Sequence, residues 1–273
     1  MPSPTPAADA LLDPALDVRH LRLELDGRTI LDDVSLAVRE GEYLAVVGPN
    51  GAGKTSLLRC VVRVLTRWRG RVAILGTDLR AFSQRELARL VAHVPQLAGP
   101  LPPFTVRELV ELARYPYQAP LRPISPVDRE IARDALARAG IGPLADRLLP
   151  TLSGGERQKA LLAAALAQGG RILLLDEPTA FLDPHYARDL RRLLRRLNRD
   201  EGWTVVEVTH DLNAAVAAAH RVAALKDGRL AFYGPPDLFA DSDVLEAVFD
   251  CPFVVAEHPE TGGPLILPRE AAS

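Results

Sequence analysis

The sequence predicts an α/β fold, a parallel sheet covered on both faces by helices, and three observations carry that prediction. The first is Gly48-Pro49-Asn50-Gly51-Ala52-Gly53-Lys54-Thr55-Ser56, which fits the phosphate-cradling pattern G-x-x-x-x-G-K-[ST] directly after the apolar run Tyr43–Val47. The second is a series of short, continuously apolar runs alternating with helical periods. The third is Ile172-Leu173-Leu174-Leu175-Asp176-Glu177, an apolar run ending in two carboxylates. Ligands of open α/β sheets collect at that edge.

In chain order, strands are expected over 16–25, 29–38 and 43–47, with hairpin-like turns at Asp26-Gly27 and Glu40-Gly41. The run 57–65 has helical spacing, and this helix is expected to end near Trp68-Arg69-Gly70, before a strand over 71–75 and another over 90–94 that stops at Pro95-Gln96. Residues 97–168 change character: Pro-rich loops and helical periods at 105–114, 126–139 and 155–168 read as a helical insertion. Thr105 and Glu108 stand at capping-box spacing, and Ser153 is placed to cap the third helix. The α/β pattern then resumes with a strand over 172–175 and a helix over 186–198, for which Asp183 is the N-cap and Pro184 the first position. A strand over 204–208, a helix over 212–219, a strand over 221–225 and, after Asp227-Gly228, a strand over 229–233 complete it.

Composition bounds the function. The 273 residues suffice for one large domain or two modest ones, with 48% apolar content for a core and 25% charged content for a soluble surface. A net charge of −2 and no expected basic face argue against a nucleic-acid binder. Cys60 and Cys251 are too few for a disulfide framework or a zinc cluster. Cys60 falls on an apolar helix and reads as packed core, which fits a reducing compartment. No window approaches the ~18 apolar residues of a membrane span. Residues 1–15, Pro/Ala-rich and without a basic n-region, read as a disordered tail. No internal repeat is found.

The chemistry of the motifs follows from residue type. Three glycines let successive N–H groups converge on one phosphate, and a following helix N-terminus adds partial positive charge. Lys54 can reach the β- and γ-phosphates and Thr55 can ligate Mg²⁺. Of 33 basic residues only Lys54, Lys159 and Lys226 are lysines, so the slim ammonium at the end of the loop is a choice against the chain's own habit. Asp176 is placed to anchor Mg²⁺, and Glu177 to act as general base or to orient a water. Ser153-Gly154-Gly155 makes a second helix N-terminus able to hold an anion. Taken singly, each has a plainer alternative: a Gly-rich turn, a strand ending in solvated acids, an ordinary capped helix.

Together the motifs resemble the ATP-binding cassette ATPases, the motor subunits of ABC transporters. The signature LSGGERQ stands at 152–158, the Walker A-like loop at 48–56 and the Walker B-like strand at 172–177. Gln96 matches the Q-loop, Ala180-Phe181-Leu182-Asp183 the D-loop and His210 the switch histidine, in the family's order and over roughly residues 16–235. The resemblance implies a P-loop NTPase core with a parallel sheet, an N-terminal antiparallel β-subdomain and an inserted helical subdomain. It implies ATP and Mg²⁺ as ligands, and a head-to-tail dimer in which each nucleotide lies between the Gly48–Ser56 loop of one copy and Ser153, Gly154 and Gly155 of the other, with Asp183 beside it. His210 would donate to the γ-phosphate, and Gln96 would touch Mg²⁺ or the water. One departure stands out: the position that usually stacks an aromatic ring on adenine is Leu25, which covers a base without stacking on it. His20, His93, His185, His220 and His258 have no such context and read as structural.

Phe104-Thr105-Val106-Arg107-Glu108-Leu109-Val110, Ala113-Arg114-Tyr115-Pro116-Tyr117 and the tail from Val248 to Leu265 resemble the importers of iron-siderophores, haem or cobalamin within that family. This implies a peripheral subunit on the cytoplasmic face of the inner membrane, docked to integral-membrane permease subunits through 97–125, in a system with an extracytoplasmic substrate-binding protein. Importers of another metal or an oxyanion share the layout. A soluble non-transport ATPase of the same family and a non-hydrolysing binding module are the competing classes, opposed by the single compact cassette and by intact Lys54, Asp176, Glu177 and His210. The expected division is a tail over 1–15, an ATPase domain over 16–245 with its helical insertion at about 97–168, and a C-terminal β-extension over 246–273.

Overall fold

The computed structural model describes residues 14–96, 99, 101–119, 122–180 and 182–269. The expected tail, up to residue 13, falls outside them, as do Leu97, Ala98, Pro100, Pro120, Leu121, Phe181 and residues 270–273. β1 (Leu16–Leu25), β2 (Arg28–Val38) and β3 (Tyr43–Val47) lead into α1 (Lys54–Val61), followed by β4 (Trp68–Ile74), β5 (Thr77–Asp78), α2 (Gln84–Leu90) and β6 (Val91–Val94). A helical stretch comes next: α3 (Val106–Leu112), α4 (Pro126–Arg138) and α5 (Gly154–Gln168). β7 (Ile172–Asp176), α6 (Pro184–Arg199), β8 (Thr204–Val208), α7 (Leu212–Ala218), β9 (Arg221–Lys226) and β10 (Arg229–Gly234) restore the alternation. The described chain ends with α8 (Pro236–Phe239), α9 (Ser242–Phe249) and the antiparallel pair β11 (Phe253–Glu257) and β12 (Pro264–Pro268).

Two sheets carry the fold. One is antiparallel, in the order β2-β1-β4-β5; the other runs β10-β9-β3-β8-β7-β6, with every neighbouring pair parallel except β9 and β10. The parallel strands bury both faces, which is why their sequences are continuously apolar. Leu44, Val46, Leu174 and Val206 turn toward α1 and the antiparallel sheet, Leu173, Leu175 and Val205 toward the helical stretch, and Ala45 and Val47 toward α7 and α9.

Local chemistry sets most boundaries as expected. Asp26-Gly27 and Asp227-Gly228 are two-residue turns with both residues in left-handed backbone. Thr105 with Glu108 and Ser153 with Glu156 form complete capping boxes, and Asp183 caps α6. Three expectations fail. Glu40-Gly41 does not close a hairpin: β2 pairs with β1 and β3 with β8 and β9, so the turn carries the chain between sheets, its N–H held by Thr204 Oγ1 at 3.0 Å and its carbonyl by Asn198 at 2.8 Å. The first helix stops at Val61, not near residue 68, because Arg63 turns left-handed (φ 59°), which frees Trp68 to pair with Leu23. The net charge of −2 also hides a basic face: Arg188, Arg192, Arg196 and Arg199 stand exposed along α6.

In the helical stretch the Arg114 guanidinium is buried, donating to Asp128 at 2.9 Å and to the Ala167 carbonyl at 2.6 Å, and stacked on Tyr117. This ties α3, α4 and α5 together. Where α4 and α5 meet α6, ions rim an apolar core that the three helices share through Leu136, Ala163, Leu190 and Leu194. Arg138 pairs with Glu201, Arg196 reaches the Arg138 carbonyl at 3.1 Å, and Lys159 lies 3.5 Å from Asp189. Among these groups opens a cavity of about 330 Å³.

Two measurements test this account. Asp128→Ala strands a buried guanidinium and is expected to cost about 3 kcal/mol in urea denaturation, whereas Asp146→Ala, which breaks only the exposed pair with Arg107, should cost under about 1 kcal/mol. His93 on β6 has a buried Nε2 with no partner among the described residues, and burial, then the Arg59 charge, pulls its pKa from 6.5 to about 4. The unfolded chain therefore binds the extra proton between those values, so stability contributed at this site is present above pH 6.5 and lost as pH falls toward 4. His93→Gln should lose less stability than the parent across that window.

Candidate functional site

The site lies at the C-terminal edge of the parallel sheet and is assembled by the turn between β3 and α1. Gly48 takes φ 137°, and a Cβ there would fall 2.0 Å from the Leu225 carbonyl oxygen of β9; Gly53 takes φ 96° at the N-cap of α1. Only glycine fits either place. α1 has no side-chain cap and no acid in its first turn, whereas every other described helix of seven residues or more begins with a Ser, Thr or Asp that accepts a first-turn N–H. Gly51 opens on free space. A bare helix N-terminus behind a glycine turn is a cradle for phosphate, so the residues present fit a nucleotide.

Lys54 is buried, and its ammonium donates to the carbonyls of Gly48 (2.8 Å) and Pro49 (2.9 Å). Burial lowers its pKa, opposed by the charges of Glu177 and Asp176. The Thr55 hydroxyl donates to Asp176 Oδ1 at 3.0 Å; burial raises the Asp176 pKa, with the Thr55 bond pulling the other way. A hydroxyl and a carboxylate in that contact are a donor pair suited to Mg²⁺, which commonly takes few protein oxygens and completes its shell with water and phosphate. Ala52 is buried beneath the turn, Asn50 exposed and Ser56 half-buried.

Glu177 follows Asp176 with left-handed backbone (φ 51°), pinned by its N–H to the Val208 carbonyl at 2.9 Å. Non-glycine residues rarely adopt this conformation. Here it turns the Glu177 carboxylate to meet two groups: Gln96 Nε2 donates to Oε2 at 3.0 Å, and His210 Nε2 lies 2.6 Å from Oε1. Lys54, Thr55, Asp176, Glu177, Gln96 and His210, drawn from distant parts of the chain, thus form one constellation.

The other expected site residues lie apart from it. Ser153, Gly154, Gly155 and Asp183 make no hydrogen bond to this cluster among the described residues; Ser153 and Asp183 are occupied as caps. Leu25 is half-buried at the tip of β1, paired with Arg28 beside the Ile30–Leu31 segment that packs on Gly53. Sequence reasoning missed Asp211, which caps α7 through the Ala214 N–H (2.8 Å) and pairs with Arg191 (2.5 Å), fixing the residue after His210. An Asp before a run of helix formers was the available signal. It also missed the buried hydrogen bond from Tyr43 to Glu207, whose pKa burial raises to about 6.

A family model described as ABC transporter matches residues 31–180. The chain is 42% identical over 253 residues to the hemin import ATP-binding protein of Thermobifida fusca, covering 93% of this chain and 88% of that protein. It is 36% identical over 240 residues to the ferric enterobactin transport ATP-binding protein of Escherichia coli, covering 88% and 89%. With the cobalamin import ATP-binding protein of Halobacterium salinarum it shares 40% identity over 253 residues, but spans only 63% of that relative's length. Among solved structures it is similar to a metal-chelate type ABC transporter in an inward-facing conformation (TM-score 0.83, 27% identity, 94% of this chain and 98% of that one). It is also similar to a dimeric ATP-binding cassette bound to ADP and Pi in a post-hydrolysis state (TM-score 0.72, 29% identity, 81% and 98%).

Lys54→Ala removes the buried ammonium from the cradle and is expected to weaken ATP binding by on the order of 100-fold in calorimetric titration. An unchanged affinity would place the triphosphate elsewhere.

Proposed function

The chain belongs to the ABC transporter family, and from that premise we propose that it is the ATP-hydrolysing motor subunit of an importer for an iron-siderophore, haem or cobalamin. The single observation that carries hydrolysis is Glu177, held between Gln96 and His210 beside the bare N-terminus of α1. The cargo class rests on relatives named for hemin, ferric enterobactin and cobalamin import.

In this reading the Gly48–Ser56 turn holds the phosphates by main-chain N–H groups, and Lys54 exchanges the Gly48 and Pro49 carbonyls for phosphate oxygens. Thr55 and Asp176, with Gln96, would hold Mg²⁺, which neutralises phosphate charge when bound. Glu177 orients the attacking water and accepts its proton, and His210 donates to the γ-phosphate. Leu25 covers the base. The cradle is one-sided, and Ser153-Gly154-Gly155 with Asp183 of a second copy complete it. The division follows the elements: an ATPase domain from β1 through α9, a helical subdomain at about 97–168, and a C-terminal extension. The last begins after Phe249, since α9 runs across residue 246.

No described helix is long and apolar enough to cross a membrane. In this reading a place at the membrane comes through permease subunits, as the relatives named for import suggest, with an extracytoplasmic binding protein delivering cargo to them. Phe104 (41% exposed), Leu112 (55%) and Tyr115 (61%), in the segment after Gln96, are the exposed apolar side chains that a permease would cover.

Glu177→Gln is expected to keep ATP binding, to accumulate as an ATP-bound dimer in light scattering, and to lose about 10²–10⁴-fold in phosphate release. Parent-like turnover in that variant would remove Glu177 from its role.

A further inference from the structure

Gly154 and Gly155 are neighbours at the start of α5, yet their surroundings differ. Gly154 is exposed, and a Cβ there would meet only Leu182 Cδ2, at 3.8 Å. Gly155 is buried, and a Cβ there would fall 2.4 Å from Tyr186 Cγ, 2.6 Å from Cδ1 and 2.9 Å from Cβ. Gly155 is an ordinary helical residue, absent from the left-handed positions. Its backbone does not call for glycine; the aromatic ring does. The nearest atoms are the root of the side chain, not a flexible end, so rotation of the ring alone cannot make room.

Tyr186 is itself held from both helices. Its N–H donates to Asp183 Oδ1 at 3.1 Å, in the first turn of α6. The ammonium of Lys159, one turn beyond Gly155 on α5, lies 5.3 Å from the ring centroid and 3.5 Å from Asp189. Burial of an aromatic face against a glycine brings two helix axes closer than any side chain would allow.

We propose that Tyr186 is a positioning residue that locks the N-terminus of α5 to that of α6, so that Ser153-Gly154 and Asp183 move as one piece, and that Gly155 is glycine to admit the ring. The proposal rests on the two-chain site above, in which both termini meet the nucleotide on the partner copy. It divides the labour of the glycine pair: Gly154 leaves open space toward the ligand, Gly155 toward the neighbouring helix. A fixed spacing between the two termini lets one closing motion deliver both.

The test is a double-mutant cycle in the Glu177→Gln background: parent, Gly155→Ala, Tyr186→Gly and the double variant. Two quantities are read, the melting temperature without nucleotide and the ATP concentration for half-maximal dimerisation. Gly155→Ala alone should lower the first and raise the second by on the order of tenfold. In the Tyr186→Gly background the same substitution should neither lower the melting temperature nor raise the ATP concentration needed, because the atoms it strikes are gone. Tyr186→Phe should behave as the parent. Gly155→Ala equally damaging, or equally harmless, in both backgrounds overturns the proposal. Coupling in melting temperature without coupling in dimerisation reduces Tyr186 to a packing contact and overturns its positioning role. If the parent fails to dimerise with ATP, the two-chain reading falls by that result, while the melting cycle still decides the contact.

Discussion

A helix that begins without a cap is the constraint around which the rest of this molecule is arranged. First-turn N–H groups need acceptors, and α1 alone among the longer described helices is given none by a side chain. The same few residues bury an ammonium whose only hydrogen-bond partners among the described residues are two carbonyls of its own loop. Donors in surplus at one point of a protein ask for an anion. The sheet fixes where that point is: β3 runs between β8 and β9, and Gly48 presses so closely on Leu225 that the turn has no freedom to drift.

The acids beside it obey the complementary logic. Asp176 ends the fully buried strand β7, where desolvation raises the cost of its charge, and Thr55 answers with a hydroxyl. Glu177, one residue later, would by simple strand alternation point to the opposite face. The left-handed turn at that residue cancels the alternation and keeps both carboxylates on the ligand side of the sheet. The strain is held by a ladder bond to Val208, so the geometry belongs to the sheet and not to a loose end.

Much of this was legible in the residues. The glycine turn, the apolar strand ending in acids and the Ser153, Thr105 and Asp183 caps each have a local cause, and local causes can be read from a line of text. The boundary of α1 could not, because Arg63 is an unremarkable residue in an uncommon conformation. α2 escaped because only Leu87 of its seven residues is buried, leaving no periodic stripe to see. Glu40-Gly41 resembles a hairpin turn in composition, and only the pairing of β3 with distant strands reveals that it joins two sheets. The meeting of Gln96, Glu177 and His210 was expected as chemistry, but their contact is a property of three strand ends brought together by the order of the sheet.

The junction between the helical stretch and α6 joins a shared apolar core to a rim of ions. Within the stretch, Arg114 is clamped in a buried network; at the junction, partly exposed ions face one another around a 330 Å³ hollow. Exposed ion pairs exchange partners at little cost, whereas interlocked side chains must unpack before they slide. The seam is therefore graded: Tyr186 against Gly155 and the core that Leu190 and Leu194 share with α5 hold its inner part, while around the hollow dissolved salt and water can stand in for each ion as it parts.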